Sequence, residues 1–152
     1  MTKETFTNLV LDSEQTLYRI SMSMLKNEAD CEDAVQTAIL AAYEKLGTLK
    51  KEEYFKTWLV RILINECNKI LRSKTKSVEI TADLQAHDSS VENLELRLAL
   101  EALPVKIRQA VVLYYIEQFS VKEIKMILKI PEGTVKSRLA KGRELLKLEL
   151  AT

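Results

Sequence analysis

Near the C-terminus the chain reads IPEGTVKSRLAKGRELL, from Ile130 to Leu146. Lys136, Arg138, Lys141 and Arg143 are interleaved there with Val135, Leu139, Leu145 and Leu146. Lysine and arginine attract phosphate and can bond guanine, while serine and threonine reach base edges or phosphate. The chemistry on offer is recognition of a polyanion. Folded as a helix, the stretch turns Thr134, Lys136, Ser137, Lys141 and Arg138 outward, near the helix start. An amphipathic surface helix of no special function would show the same alternation.

A second polar set lies upstream. Thr57, Arg61, Asn65, Asn68 and Arg72 follow one another in steps of four, four, three and four, which places them along one side of a helix. Such a helix, with a core face opposite, can lie against nucleic acid. Tyr54, Phe55 and Trp58 stand at its start and are able to stack on bases. Phe55 and Trp58 fall on the apolar side and belong to the core; Tyr54 fits either role.

Other chemistry is poorly supplied. The chain has one histidine, His87, in a polar stretch, and two cysteines, Cys31 and Cys67, without metal-ligand spacing. There is no nucleophile–histidine–acid set and no glycine loop to cradle phosphate. Neither an enzyme, a cofactor, a metal nor a small-molecule substrate is expected. The absence of a disulfide framework suits a cytoplasmic setting. No apolar run is long enough to cross a bilayer, and MTKETFTNLVLDSEQ is too polar for a secretory signal.

The net charge of +1 conceals a pattern. Residues 53–77 carry a net +4, residues 78–103 a net −5, and residues 104–128 and 129–152 carry +2 and +3. Two basic segments flank an acidic one, which suggests two contacts with a polyanion. Two solvated helix faces would give the same pattern.

The elements follow from apolar periodicity. Phe6, Leu9, Val10, Leu17, Ile20 and Met24 predict a helix over 3–25. Ala34, Val35, Ala38, Ile39, Ala42 and Leu46 predict a second over 31–46, with Asp30 as its N-cap and Gly47 as its stop. A third is expected over 53–72, cored by Phe55, Trp58, Leu59, Ile62, Leu63, Ile70 and Leu71. Periodicity then lapses into a polar linker. Ser89 with Glu92 resembles a capping box, and Val91, Leu94, Leu98 and Leu103 line the helix that follows. Pro104 opens another helix, continuing through Ile107, Ala110, Val111 and Tyr114 to about Gln118. Ser120 with Glu123 is a second capping box, opening a short helix to Leu128. A short helix, a tight turn and a basic helix make a helix-turn-helix, packed by Ile124, Ile127, Val135 and Leu139. The expected fold is all-α: two small helical domains, 1–73 and 90–152, joined by a flexible linker over 74–89.

LPVKIRQAVVLYYIEQFSVKEIKMILKIPEGTVKSRLAKGRELL resembles region 4 of the sigma-70 superfamily, most specifically at EGTVKSRLAKGRELL. EADCEDAVQ and FKTWLVRILINECNKILR resemble region 2 of the same family. The short span between the halves is that of the extracytoplasmic-function (ECF) group. The resemblance implies binding to core RNA polymerase and direction to promoter DNA. Carried onto matching positions, −35 recognition falls on Lys136, Ser137 and Lys141, with Thr134, Arg138 and Arg143 beside them. Reading and opening of the −10 element falls on the 47–54 loop, Tyr54, Arg61 and Asn65. Asp33 and Gln36 match the family's polymerase-docking helix. An anti-sigma partner, often membrane-bound in this group, is also implied. Lys129 stands where many relatives carry glycine, so the turn is expected to be built differently. Ala140, Lys69 and Ile70 also depart from the usual pattern. The competing reading is a helix-turn-helix regulator that binds DNA without joining polymerase; it leaves EADCEDAVQ and the Trp58 helix unexplained.

Overall fold

The computed structural model describes residues 1–76 and 94–151. Among the described residues there are seven α-helices: α1 (Lys3–Leu25), α2 (Glu28–Glu44), α3 (Phe55–Lys76), α4 (Leu94–Glu101), α5 (Val105–Val111), α6 (Val121–Leu128) and α7 (Glu132–Leu150). No strand occurs among the described residues. The Ser89–Glu92 capping box and His87 lie outside them.

The first three helices form one module. α1 buries Phe6, Val10, Leu17, Ile20 and Met24, as its periodicity predicts. α2 adds Ala34, Val35, Ala38 and Ala42, whose small side chains let the helices approach closely. α3 contributes Phe55, Leu59, Ile62 and Leu63, while Trp58 is half-buried against the cluster. The start of α2 differs from expectation. Asn27, not Asp30, is the N-cap, its side chain accepting from the Asp30 N–H at 3.0 Å. Asp30 is thereby placed in the first turn, where it pairs with Lys74. α3 also runs four residues past the predicted Arg72.

The second module is built on α5 and α7. Gly142 is buried where they cross: a Cβ there would lie 2.4 Å from Val111 Cγ2 and 3.3 Å from Ile107 Cγ2. Ser120 forms the predicted capping box, accepting from Glu123 N at 3.1 Å while its own N–H donates to Glu123 Oε1 at 2.9 Å. Two expectations fail. Leu94 and Leu98 are exposed, and the inward face of α4 is Ala99, followed by Leu103. The helix after Pro104 does not stay regular: residues 112–116 form a π-helical turn, with Glu117 N bonded to Val112 O at 3.0 Å. The extra residue in that turn keeps Val112 and Leu113 inside, leaves Tyr114, Tyr115 and Ile116 exposed, and brings Glu117 round toward α1.

The two modules share one hydrophobic cluster rather than standing apart. α6 packs across α3, and α5 with its π turn packs on α1.

Candidate nucleic-acid and polymerase interface

α7 is the longest helix of the second module, and its buried residues are Val135, Leu139 and Gly142. At 100° per residue the opposite side is centred on Ser137, Ala140 and Lys141. Lys136, Ser137 and Lys141 are all exposed. Lys136 stands 4.0 Å from Glu132 and Lys141 3.8 Å from Glu144, loose pairs that a phosphate can displace. Thr134 and Arg138 lie on one flank, half-buried. Arg143 lies on the other and donates to the Tyr115 hydroxyl at 2.9 Å. The six predicted residues thus occupy one helix but not one face.

The turn before α7 corrects an expectation. Lys129 has φ 55° and ψ 51°, the left-handed conformation that glycine would adopt without strain. Its N–H returns to Lys125 O, so the turn is the ordinary one, with a lysine forced into it.

On the first module, Thr57, Arg61, Asn65, Asn68 and Arg72 do share one side of α3, and that side faces the second module. Thr57 is buried and donates to Glu123 Oε2 at 3.4 Å. Asn68 accepts from the Gln109 amide at 3.0 Å. Asn65 and Arg72 remain at the edge of a groove of about 520 Å³. Lys106, Lys129 and Arg138 come into the same groove from the other module, and no acidic side chain lines it among the described residues. Of the α7 set only Arg138 reaches this groove, beside Asn65, Asn68 and Arg72 of the α3 set; Lys136, Ser137 and Lys141 face away from it.

Tyr54 is 45% exposed, beside a smaller cavity of about 160 Å³. Leu49, Trp58 and Arg61 wall it from the first module, and Met126 of α6 walls it from the second. Phe55 is core, as predicted, edge-on to Phe6 at 5.7 Å between centroids, whereas Trp58 is half-buried against the core and walls this cavity.

Asp33 and Gln36 are exposed on α2, away from the groove. Leu40, the next step along that line, is 64% exposed. It escaped the sequence reading, although it lies off the buried stripe of its own helix. Arg108 escaped it too. Its side chain is buried and donates to Leu100 O (3.0 Å), Glu101 O (3.2 Å), Leu103 O (2.8 Å) and, across the modules, Ser23 O (2.9 Å). No sequence signal separates that arginine from the surface ones.

A helix-turn-helix with a basic outer side, packed on a second helical module, defines the class of DNA-binding helical proteins. Two family models match the chain: Sigma-70 region 2 over residues 9–77, and Sigma-70, region 4 over residues 93–146. SigW of Bacillus subtilis, an ECF RNA polymerase sigma factor, is 32% identical over 168 residues, covering 97% of this chain and 90% of SigW. Among solved structures, the Bartonella quintana sigma factor RpoE in complex with the anti-sigma factor NepR matches with a TM-score of 0.82. That match covers 98% of each chain at 25% identity. CnrH in complex with the cytosolic domain of CnrY matches at 0.78, covering 99% of this chain and 90% of CnrH, also at 25% identity. The chain belongs to the ECF sigma factors of the sigma-70 superfamily. Its function is that of an alternative sigma factor, directing RNA polymerase to particular promoters.

Proposed function

We propose that the chain divides this work between its two halves, with residues 1–73 as region 2, 74–89 as linker and 90–152 as region 4. Asp33 and Gln36, joined by Leu40, dock on core polymerase; an exposed leucine between polar neighbours is the kind of anchor such surfaces use. Lys136, Ser137 and Lys141 read the −35 duplex from the major groove, while Thr134, Arg138 and Arg143 hold its phosphates. Tyr54, Arg61 and Asn65 receive the −10 strand. The cavity beside Tyr54 supports a flipped base, whose unstacking costs a few kcal/mol and has to be met by new contacts. The protein contributes binding and no catalysis, acts in the cytoplasm and is held in reserve by an anti-sigma partner; the complexes of RpoE with the anti-sigma factor NepR and of CnrH with the cytosolic domain of CnrY support such a partner.

The observation that carries the reading is the pairing of a basic, exposed helix-turn-helix with a second polar helix face in one chain. Run-off transcription with purified core polymerase and a pool of promoter fragments tests it. Defined transcripts are expected only when the chain is added. Duplex binding with no effect on transcription starts would favour the stand-alone regulator.

A further inference from the structure

Tyr115 has a place in the fold that a regular helix would deny it. In an α-helix it would follow Val111 by one turn and share that residue's inward face. Val111 is almost wholly buried, against Gly142 of α7. The π-helical turn at 112–116 carries Tyr115 outward instead, and leaves it 46% exposed. Just beyond, Gln118 holds a left-handed φ of 60° without being a glycine. Two such irregularities side by side have a conformational cost, and such costs gather at functional places.

The turn delivers Tyr115 to Arg143. The Tyr115 hydroxyl accepts from Arg143 Nη1 at 2.9 Å. Neither side chain has another polar partner among the described residues. Tyr114 packs at right angles to the Tyr115 ring, 4.9 Å between centroids, and limits its movement. Arg143 itself follows Gly142, whose missing side chain lets α7 close on α5. The tyrosine–arginine contact is therefore built beside a close helix crossing, where neither helix has room to shift.

The nature of the partner matters for charge. Lys136 and Lys141 stand 4.0 and 3.8 Å from the carboxylates of Glu132 and Glu144, which a phosphate has to displace. Arg143 is held by a neutral oxygen, so its position is restrained while its charge stays uncompensated. The hydroxyl takes one guanidinium N–H. The others remain available for a phosphate, which arginine can meet with two parallel bonds. The flank is also suitable. Arg143 lies across α7 from Thr134 and Arg138, and a helix seated in the major groove has a phosphate backbone along each flank.

We propose that Tyr115 is a positioning residue for DNA binding: its hydroxyl holds Arg143 toward the phosphate backbone on that flank of α7, so that the arginine binds without first having to be ordered. The proposal rests on the reading of α7 as the helix that enters the major groove. Ordering one long side chain in advance changes affinity by about three- to tenfold.

The test uses the full chain and a fluorescent random-sequence duplex, since a phosphate contact carries no base information. Tyr115→Phe keeps the ring and its packing on Tyr114 and removes only the hydroxyl. It is expected to weaken duplex binding about three- to tenfold. The slope of log K against log salt should stay native, because no charge is lost. Arg143→Ala should weaken binding and lower that slope by about 1. In the Arg143→Ala background, Tyr115→Phe should have no further effect. This comparison separates positioning from a general loosening of α7, which would weaken binding in both backgrounds. Native affinity in Tyr115→Phe overturns the proposal. So does an equal loss with and without Arg143, or a salt slope that Tyr115→Phe itself reduces. If Arg143→Ala is without effect while Lys136→Ala weakens binding, α7 still reads DNA and only the role of Tyr115 is lost. If neither variant weakens binding, the reading of α7 fails and the role of Tyr115 fails with it.

Discussion

At the scale of single residues, the structure shows where side-chain identity works against the backbone and where burial has silenced chemistry. Lys129 holds a left-handed conformation that costs a side-chain-bearing residue about 1–2 kcal/mol. Lys129→Gly removes that strain but loosens the unfolded chain, for a net gain of about 1 kcal/mol. A melting temperature higher by about 2–4 °C is expected for a chain of this length. An unchanged or lower melting point would mean that the lysine gains something from the groove it lines. The two cysteines are the opposite case. Burial pushes the Cys31 thiol up to about 11 and the Cys67 thiol up to about 12. In the unfolded chain both lose their protons near pH 8.5. Above that pH the folded state binds more protons than the unfolded one, so stability falls as pH rises and levels off beyond pH 11–12. Urea melts at pH 8, 9 and 10 measure the slope, which Cys31→Ala/Cys67→Ala should flatten.

At the scale of elements, α7 is the proposed reading head, and its position depends on one close approach. Gly142 lets it lie against α5, where Val111 is almost wholly buried and has no room to retreat. Gly142→Ala raises helix propensity by about 1 kcal/mol. It also forces overpacking that typically costs about 1–3 kcal/mol. The net expectation is destabilisation by about 1 kcal/mol, with weakened duplex binding as α7 is pushed off its seat. Denaturant melts and duplex titrations check both; a stabilised protein would show that α5 yields. The helices themselves were legible because an apolar stripe with period 3.6 leaves little choice, as with Leu17, Ile20 and Met24. The Ser120–Glu123 box was legible because both of its bonds are local. Asn27 was misjudged because Asp30 offers an equally good cap three residues on, and only the entry angle of the chain decides between them. The π turn at 112–116 has no periodic signature. It is set by what Val112 and Leu113 bury and by where Glu117 must reach, both tertiary facts. For the candidate site, the identities of Lys136, Ser137, Arg61 and Asn65 could be read from spacing and resemblance. That Thr57 and Asn68 would be covered, and by which helix, depends on pairs 66 and 41 residues apart in sequence.

At the scale of the whole molecule, the proposed division of labour is separable because its two faces lie on different helices with no shared side chain. Asp33 sits on α2, exposed and outside the basic groove. Lys136 sits on the outer side of α7, where it makes the 4.0 Å approach to Glu132. An exposed pair of that kind is worth about 0.3–0.5 kcal/mol, so removing it barely affects folding. Lys136→Ala should therefore leave the melting temperature and the affinity for core polymerase close to native. It should weaken −35-dependent initiation and lower the slope of log K against log salt for duplex binding by about 1. Asp33→Ala should act in the reverse order, reducing co-elution with core polymerase several-fold while duplex binding by the free chain is unchanged. Sites on different helices with no common partner are expected to be additive in free energy, so the double variant should show the product of the two defects. Gel filtration with core polymerase, duplex titration at two salt concentrations and run-off transcription read the three quantities independently. If either single variant lowered polymerase affinity and duplex affinity together, the two faces would be one coupled surface and the division would be lost.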